Sequence, residues 1–264
     1  MGMLSNRAIA IDPALMMVKA KMPPDPWQAG VLRDRAQRLL LNCTRQAGKS
    51  TVIACSALIE ALYYAPSLTL ILSPSERQSK ELFRTVLHIS DLMGASIVPD
   101  SKTTTHVEFA SGSRIVALPA KESNIRGLSS VALLIVDEAS RVADELYHSV
   151  RPMLAVSGGR IACLSTPFGK RGFFHKEWTE GEGWQRVMIK ATECPRISAQ
   201  FLAEEKKALP DTWYRQEYLC EFCDLADAMF KYEDVMQALS DDVQPFLQAP
   251  LTQEQMTVQS PFVV

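Results

Sequence analysis

One segment of the sequence constrains the fold more than any other: a strand-like run ending near Asn42, a short loop, and a helical run that begins at Lys49. The loop ends in Gly48-Lys49-Ser50. This pattern is typical of a P-loop, whose backbone N–H groups converge on phosphate oxygens at a helix N-terminus. In such a loop Lys49 reaches the terminal phosphates and the Ser50 hydroxyl ligates Mg²⁺. Cys43 stands where the usual pattern has glycine, so a chance Gly-Lys-Ser in an ordinary strand-to-helix turn is the alternative.

The rest of the chain alternates strand-sized apolar runs with helical runs. This pattern predicts an α/β fold with a mostly parallel central sheet flanked by helices. The runs that predict buried strands are Leu39–Asn42, Thr69–Leu72, Leu133–Asp137 and Ile161–Ser165. The runs that predict helices packed on the sheet are Lys49–Tyr64, Ser75–Met93 and Val142–Leu154. The pair Val107–Phe109 and Arg114–Leu118, joined by a short polar turn, predicts a β-hairpin.

Composition and charge exclude several classes of protein. The chain has 264 residues, of which 47% are hydrophobic and 22% charged, and its formal net charge is −2. These totals are typical of a globular protein and argue against a chain coated with basic charge for nucleic acid, although they are compatible with a local basic patch. No apolar run approaches the roughly 20 residues that span a bilayer, and the N-terminus lacks a signal-peptide pattern. We therefore expect a cytoplasmic protein without membrane contact, whose scattered cysteines are reduced.

The domain boundaries follow from the positions of the prolines. The run Pro23-Pro24-Asp25-Pro26 breaks any helix, so we expect the folded unit to begin near Trp27. After about Leu225 the hydrophobic pattern weakens and prolines recur. The sequence thus predicts an N-terminal extension over residues 1–26, one P-loop domain over residues 27–225, and a linker or tail over residues 226–264.

A second motif lies in the apolar run Val131–Val136, which ends in Asp137 and Glu138. In a parallel sheet, functional groups collect at the carboxyl ends of strands, where a P-loop also lies. Asp137 is then placed to hold Mg²⁺, and Glu138 to orient and deprotonate an attacking water. The alternative is two solvated acids before a helix N-terminus. With the P-loop upstream, the pair predicts nucleotide hydrolysis, because small-molecule kinases need no water-activating glutamate.

Three further elements fit the same site. Arg45, inside the loop, is placed to stabilise charge on the γ-phosphate in cis, or else to bond carbonyls of its own loop. Gln28 is placed to bind the adenine edge, unless it is an ordinary residue of a helix surface. Ser165 and Thr166 end the next strand, where hydroxyls sense the γ-phosphate or simply close a turn. The residues expected to hold the nucleotide phosphates are Thr44, Gln46, Ala47, Gly48, Lys49, Ser50 and Thr51.

The order of the motifs points to one family. The motifs are Trp27-Gln28, Thr44–Ser50, Ile125-Arg126-Gly127, Leu134–Ala139, Ser165-Thr166-Pro167 and Gln216–Phe222. Together they resemble the ATPase domain of large terminase subunits, the DNA-packaging motors of tailed phages, over about residues 27–225. In that family the P-loop carries an arginine and lacks its first glycine, as it does here.

The resemblance implies an additional-strand, RecA-like P-loop fold that uses ATP and Mg²⁺. It also implies a homo-oligomeric ring on the portal protein of an empty capsid, a small terminase subunit as partner, and translocation of double-stranded DNA. The roles that the resemblance implies are phosphate and Mg²⁺ binding for Lys49 and Ser50, the cis arginine for Arg45, adenine binding for Gln28, the metal and water carboxylates for Asp137 and Glu138, coupling for Ser165-Thr166-Pro167, and action in trans for Arg126.

Two other functions stay open at this point. A superfamily-2-type helicase shares features with Asp137–Ser140 and Ser165–Pro167, but it needs a second RecA-like domain. A nucleotide-gated assembly subunit would bind ATP without productive turnover. Full-length large terminases continue into an RNase H-like nuclease domain, and the sequence ends where that domain would begin. We therefore expect no nuclease activity from these residues.

Two smaller features complete the analysis. Cys220 and Cys223 have the spacing of half a zinc site, but no second pair lies nearby, so we interpret them as buried or free thiols. Among the basic dipeptides, Lys170-Arg171 follows the strand-ending hydroxyls and is the one placed to contact a DNA backbone as that loop moves.

Overall fold

The computed structural model describes residues 6–94, 99–121, 125 and 127–224. The helices are α1 (Asn6–Ile11), α2 (Leu15–Lys19), α3 (Pro26–Asp34), α4 (Lys49–Tyr63), α5 (Glu76–Leu92), α6 (Asp144–Val150), α7 (Gly172–Thr179), α8 (Ala199–Ala208) and α9 (Asp211–Leu219). The strands are β1 (Arg38–Cys43), β2 (Leu68–Ser73), β3 (Pro99–Lys102), β4 (His106–Phe109), β5 (Arg114–Pro119), β6 (Leu133–Asp137), β7 (Arg160–Ser165) and β8 (Gln185–Ile189). Short 3₁₀ turns cover Ala139–Arg141, Arg151–Leu154 and Ala191–Glu193.

The strands form one sheet in the order β3-β4-β5-β2-β6-β7-β1-β8. The six strands β5, β2, β6, β7, β1 and β8 are parallel to one another. β4 pairs with β5 in the antiparallel direction, and β3 pairs with β4 in the same way. β7 lies between β1 and β6, because Cys163 pairs with Leu40 on one side and with Val136 on the other. One strand inserted between the P-loop strand and the acidic strand is the arrangement of additional-strand, RecA-like folds. The predicted fold class is therefore confirmed.

The strands in the centre of the sheet form because their residues are apolar on both faces. In β1, Leu39 and Leu41 point to the face covered by α4 and α5, and Leu40 points to the face covered by α6 and α7. Side chains alternate in this way along any strand, so a strand buried on both sides needs a continuous apolar run. Burial of each such side chain contributes roughly 1.5–3 kcal/mol, which makes the sheet a firm support for the loops at its edge.

Most predicted elements match the observed ones, and one helix differs. β6 has the predicted bounds, and the predicted hairpin is formed by β4 and β5. The helix predicted over Val142–Leu154 is wrong in its extent: α6 ends at Val150, and a 3₁₀ turn follows. Pro152 lies in that turn, and proline has no N–H with which to continue an α-helix.

The residues before Trp27 differ from expectation. The folded unit was expected to start at Trp27, but α1 and α2 precede it, and their apolar side chains Ile9, Met16 and Met17 are buried in the same core as α4. The prolines after α2 do interrupt the helices, but the residues before them still pack against the core of the domain. The expected linker or tail over residues 226–264 lies outside the described residues. No helix in the described part of the chain is long and apolar enough to cross a membrane.

Candidate active site

The P-loop lies between β1 and α4 at the carboxyl edge of the sheet. Cys43 ends β1 with its side chain buried, and α4 begins at Lys49. The loop turns through two residues with positive φ, Gln46 at +60° and Gly48 at +91°. The N–H of Thr44 donates to the carbonyl of Ile189 in β8 at 2.9 Å. The loop therefore leads directly into the N-terminus of a long helix, where the helix dipole and free N–H groups favour an anion.

The lysine of the P-loop faces the acidic strand. Lys49 Nζ lies 3.5 Å from Glu138 Oε1, although the two residues are far apart in sequence. Asp137 ends β6, and its Oδ1 accepts a hydrogen bond from the N–H of Glu138 at 3.0 Å. Glu138 has a φ of +48°, which is uncommon for a residue with a Cβ. Such strained backbone positions cluster at functional sites, where the surrounding structure holds them.

The electrostatics of Asp137 suit a cation ligand. Burial above all, together with the neighbouring Glu138 carboxylate, raises the pKa of this carboxyl to about 7, and Lys49 opposes both effects. A divalent cation beside Asp137 would favour its charged form, since an opposite charge within a few ångström stabilises a carboxylate.

A small cavity lies between the start of α4, which follows the P-loop, and the two acids at the end of β6. It has a volume of about 130 Å³ and is lined by Ser50, Gln78, Glu81, Leu82, Thr85, Asp137 and Glu138. Among the residues that the structure describes, no group of three or more His, Cys, Asp or Glu side chains is placed to hold a metal alone. Mg²⁺ is commonly bound by one or two protein oxygens together with substrate phosphates and water. The Ser50 hydroxyl and the Asp137 carboxylate fit that kind of shared site.

Gln28 contacts the P-loop. Its Nε2 donates to the carbonyl of Gly48 at 3.3 Å, and its Oε1 accepts from the N–H of Asp25 at 2.9 Å in a capping box of α3. Arg196 completes the contact: one of its nitrogens, Nη2, donates to the carbonyl of Ala47 at 2.9 Å and to Asp25 Oδ2 at 2.7 Å. Both ends of the Gln28 amide are thus engaged by backbone, and its predicted adenine contact stays a prediction.

Arg45 points from the loop toward α9. Its Nε lies 2.7 Å from Glu217 Oε2, and its side chain is 67% exposed while that of Glu217 is 11% exposed. Thr44 Oγ1 donates to the carbonyl of the same Glu217 at 2.8 Å. Asn42, at the end of β1, donates through Nδ2 to the carbonyl of Cys220 at 2.9 Å. Three hydrogen bonds therefore join the C-terminal end of α9 to the end of β1 and to the P-loop. Their donors are Asn42 in β1 and Thr44 and Arg45 in the loop.

Ser165 and Thr166 lie at the end of β7, between the P-loop strand and the acidic strand. Ser165 Oγ lies 2.6 Å from Ser140 Oγ, and Ser140 Oγ is also 2.8 Å from the carbonyl of Thr166, to which it donates. Both predicted residues are buried. The end of β7 is thus hydrogen-bonded to the 3₁₀ turn that directly follows Glu138.

The remaining predicted residues are distributed around the loop. Ala47 is buried, Gln46 is exposed, and Thr51 lies half-buried in the first turn of α4. Arg126, predicted to act in trans, lies outside the described residues.

Three residues at the site were not singled out from the sequence. Glu217 occurs inside the motif Gln216–Phe222, and Ser140 lies two residues after Glu138, so both lie in or next to recognised motifs. Arg196 lies in no motif. Only the three-dimensional contact of its guanidinium with the P-loop carbonyl reveals it.

Comparison with known families decides the relationship. The family model described as terminase large subunit, T4likevirus-type, N-terminal, matches residues 40–237. The chain belongs to this family. Two curated terminase large subunits resemble it, that of Thermus phage G20c with 24% identity over 255 residues and that of Thermus virus P23-45 with 22% over 250 residues. Each match covers 81% of this chain and 51% of the relative, so this terminase chain spans about half the length of the curated relatives.

Solved structures share the fold. The ATPase domain of the Thermus phage P74-26 large terminase has a TM-score of 0.70 with 19% identity, over 83% of this chain and 98% of that domain. The large terminase of bacteriophage HK97 has a TM-score of 0.62 with 16% identity, over 76% and 51%. The large terminase of a thermophilic bacteriophage, in complex with ADP, has a TM-score of 0.61 with 12% identity, over 79% and 52%. The eight-stranded arrangement is therefore that of terminase ATPase domains.

Proposed function

We propose that this terminase chain hydrolyses ATP and uses the energy to move double-stranded viral DNA into a preformed capsid. The observation that carries the proposal is the meeting of Lys49 with Glu138 at 3.5 Å, at the edge of the sheet where the P-loop opens into α4. The thermophilic bacteriophage terminase that shares the fold is known in complexes with ADP and ATP-γ-S. ATP is therefore the nucleotide that we assign to this site.

The geometry of the P-loop and the acidic strand supports the following proposed roles. Lys49 binds the terminal phosphates together with backbone N–H groups of the loop, and Glu138 orients the attacking water and takes its proton. Ser50 and Asp137 hold Mg²⁺, which neutralises negative charge on the phosphates when it is bound. The other loop residues assigned to the nucleotide are Thr44, Gln46, Ala47, Gly48 and Thr51.

The remaining assignments rest on position and resemblance. Arg45 stabilises charge on the transferred phosphoryl group in cis, and Arg126 acts on the nucleotide of a neighbouring copy. Gln28 positions the adenine end of the nucleotide. Ser165 and Thr166 relay the state of the nucleotide to the turn after Glu138. The partners proposed on family grounds are double-stranded DNA, the portal protein, the small terminase subunit and further copies of the chain in a ring.

The experiment that tests the proposal measures phosphate release together with DNA protection. Purified protein is mixed with ATP, linear duplex DNA and portal-bearing procapsids, and encapsidated DNA is scored by its resistance to a nuclease. We expect protection that requires ATP and is lost in Lys49→Ala. Steady hydrolysis without protection would contradict the assignment to packaging. Tight ATP binding without hydrolysis would instead identify a nucleotide-gated assembly subunit.

A further inference from the structure

Two arginines share one aromatic anchor beside the proposed ATP site. The guanidinium carbon of Arg141 lies 3.9 Å from the centroid of the Phe168 ring, and that of Arg171 lies 4.8 Å from the same centroid. Both arginines are exposed, while Phe168 is half-buried. A cation over an aromatic face is held by the ring quadrupole, and the ring therefore positions two like charges close together on the surface.

The two guanidinium groups are not held in ion pairs within the described parts of the chain. No Asp or Glu oxygen among those residues forms an ion pair with Arg141 or Arg171. The recess beside the two arginines is lined by one acid, Asp144, whose Oδ1 accepts the backbone N–H of Phe173 at 2.6 Å, so two guanidinium groups border it with a single carboxylate. Two like charges close together repel each other, and a further anion between them would reduce the repulsion.

The arginines border a recess of a size that admits an anionic group. The recess has a volume of about 460 Å³ and is lined by Ser140, Arg141, Val142, Ala143, Asp144, Phe168, Arg171 and Gly172. Guanidinium groups bind phosphate oxygens through paired N–H donors.

The recess is also bonded to the catalytic end of the sheet. Arg141 ends the 3₁₀ turn that follows Glu138, and its N–H donates to the Glu138 carbonyl at 2.9 Å. Ser140, in the same turn, is hydrogen-bonded to Ser165 and to the Thr166 carbonyl on the strand that leads to Phe168. A displacement of Glu138 or of the end of β7 would therefore move both arginines.

We propose that Arg141, Phe168 and Arg171 form a binding site for phosphodiester groups of the double-stranded DNA backbone. The inference rests on the proposed function, because it names the surface through which the moved DNA is held. Contacts of this kind read no base sequence, which suits a motor that must pass DNA of any sequence. Phe168 is a positioning residue in this site, and the two guanidinium groups make the contact.

The test measures binding of a short fluorescein-labelled duplex by anisotropy over a series of salt concentrations. The double variant R141A/R171A should bind on the order of tenfold more weakly at low salt, and the slope of log affinity against log salt should become shallower by about 2. The control R33A/R114A removes the same charge from exposed arginines elsewhere and should keep the wild-type slope. The lysine variant R141K/R171K keeps both charges and should keep most of the slope even if the alanine variant folds poorly.

The outcomes separate this inference from the proposed function. If the wild-type protein binds no duplex, the assignment of DNA as partner fails. If the wild type binds duplex and R141A/R171A behaves like R33A/R114A, the site is wrong while the proposed function stands. If R141A/R171A keeps its duplex affinity and loses affinity for a fluorescent ATP analogue, the arginines bind nucleotide phosphate, and the inference is overturned.

Discussion

Arg45 Nε lies 2.7 Å from Glu217 Oε2, so an exposed arginine of the P-loop is ion-paired with an almost buried carboxylate of α9. The other carboxylate oxygen of Glu217 is buried without a hydrogen-bond partner among the described residues. The charge of Glu217 is therefore compensated mainly by Arg45. This pair joins the loop that is proposed to hold ATP to a helix that lies outside the sheet.

The pair should be measurable as a coupling free energy. Arg45→Ala leaves the Glu217 carboxylate buried without its partner, whereas Arg45→Ala in a Glu217→Gln background removes no ion pair. Because Arg45 is largely exposed and solvent screens the pair, we expect a coupling of about 1 kcal/mol in the free energy of urea unfolding. Equal effects of Arg45→Ala in both backgrounds would mean that the contact contributes nothing.

Gly48 should tolerate no side chain. Its φ is +91°, and a Cβ would lie 2.5 Å from Gln28 Nε2. We expect Gly48→Ala to lower the free energy of unfolding by roughly 1–3 kcal/mol, because alanine is strained at this φ, and to weaken ATP binding, because the loop or the Gln28 amide must shift. Gly30→Ala is the matched control: it lies in α3 with nothing within 4 Å of the added carbon, and alanine there should stabilise by up to about 1 kcal/mol. Urea unfolding and ATP titration of both variants distinguish the two sites.

Glu60 should be the ion-paired acid on which stability depends most. It is buried, and its Oε2 accepts from Arg35 at 3.0 Å and from Arg160 at 3.1 Å. Glu60→Gln would leave two partly buried arginines uncompensated, so we expect a loss of roughly 3–5 kcal/mol in the free energy of unfolding. Glu81→Gln removes an exposed acid paired with Arg84 and should cost less than about 1 kcal/mol. Similar losses of unfolding free energy in the two variants would mean that the buried ion pairs of Glu60 stabilise the fold no more than an exposed pair does.

The six cysteines should be unreactive in the native protein. All are free and buried, and burial raises the pKa of each thiol, to about 12 for Cys55 and Cys220. The thiolate is the nucleophile, and at neutral pH a raised pKa leaves little of it. We expect slow labelling by a thiol-specific disulfide reagent until urea unfolds the chain, after which all six react. A thiol that labels at once in native protein would show that part of this core is open.

The sequence predicted the elements whose pattern is local. β6 could be delimited because an apolar run stops at Asp137, and α4 because its start is set by Gly48. β8 was not predicted, since it is a sheet-edge strand in which half-buried and exposed residues alternate and only its last residue is buried. Its position depends on pairing with β1, which no local pattern specifies.

The candidate site was predictable to a similar degree. Lys49 and Glu138 could be paired because parallel strands bring their carboxyl ends to one edge. The amide of Gln28 could not be assigned to the Gly48 carbonyl, because that contact depends on how α3 crosses the loop. Arg196 could not be predicted either, since it lies in no motif and only the folded chain brings it to Asp25 and Ala47.

The central claim is that Lys49 and Glu138 hydrolyse ATP together, and single-turnover hydrolysis tests it most directly. Radiolabelled ATP is mixed with excess protein, the reaction is quenched at successive times, and the labelled product is quantified. The affinity of each variant for ATP is measured separately. Glu138→Gln should keep its ATP affinity and lose on the order of 10²-fold or more in rate, Lys49→Ala should lose affinity, and the control Glu204→Gln, on exposed α8, should match the wild type. Hydrolysis by Glu138→Gln at the wild-type rate would contradict the account.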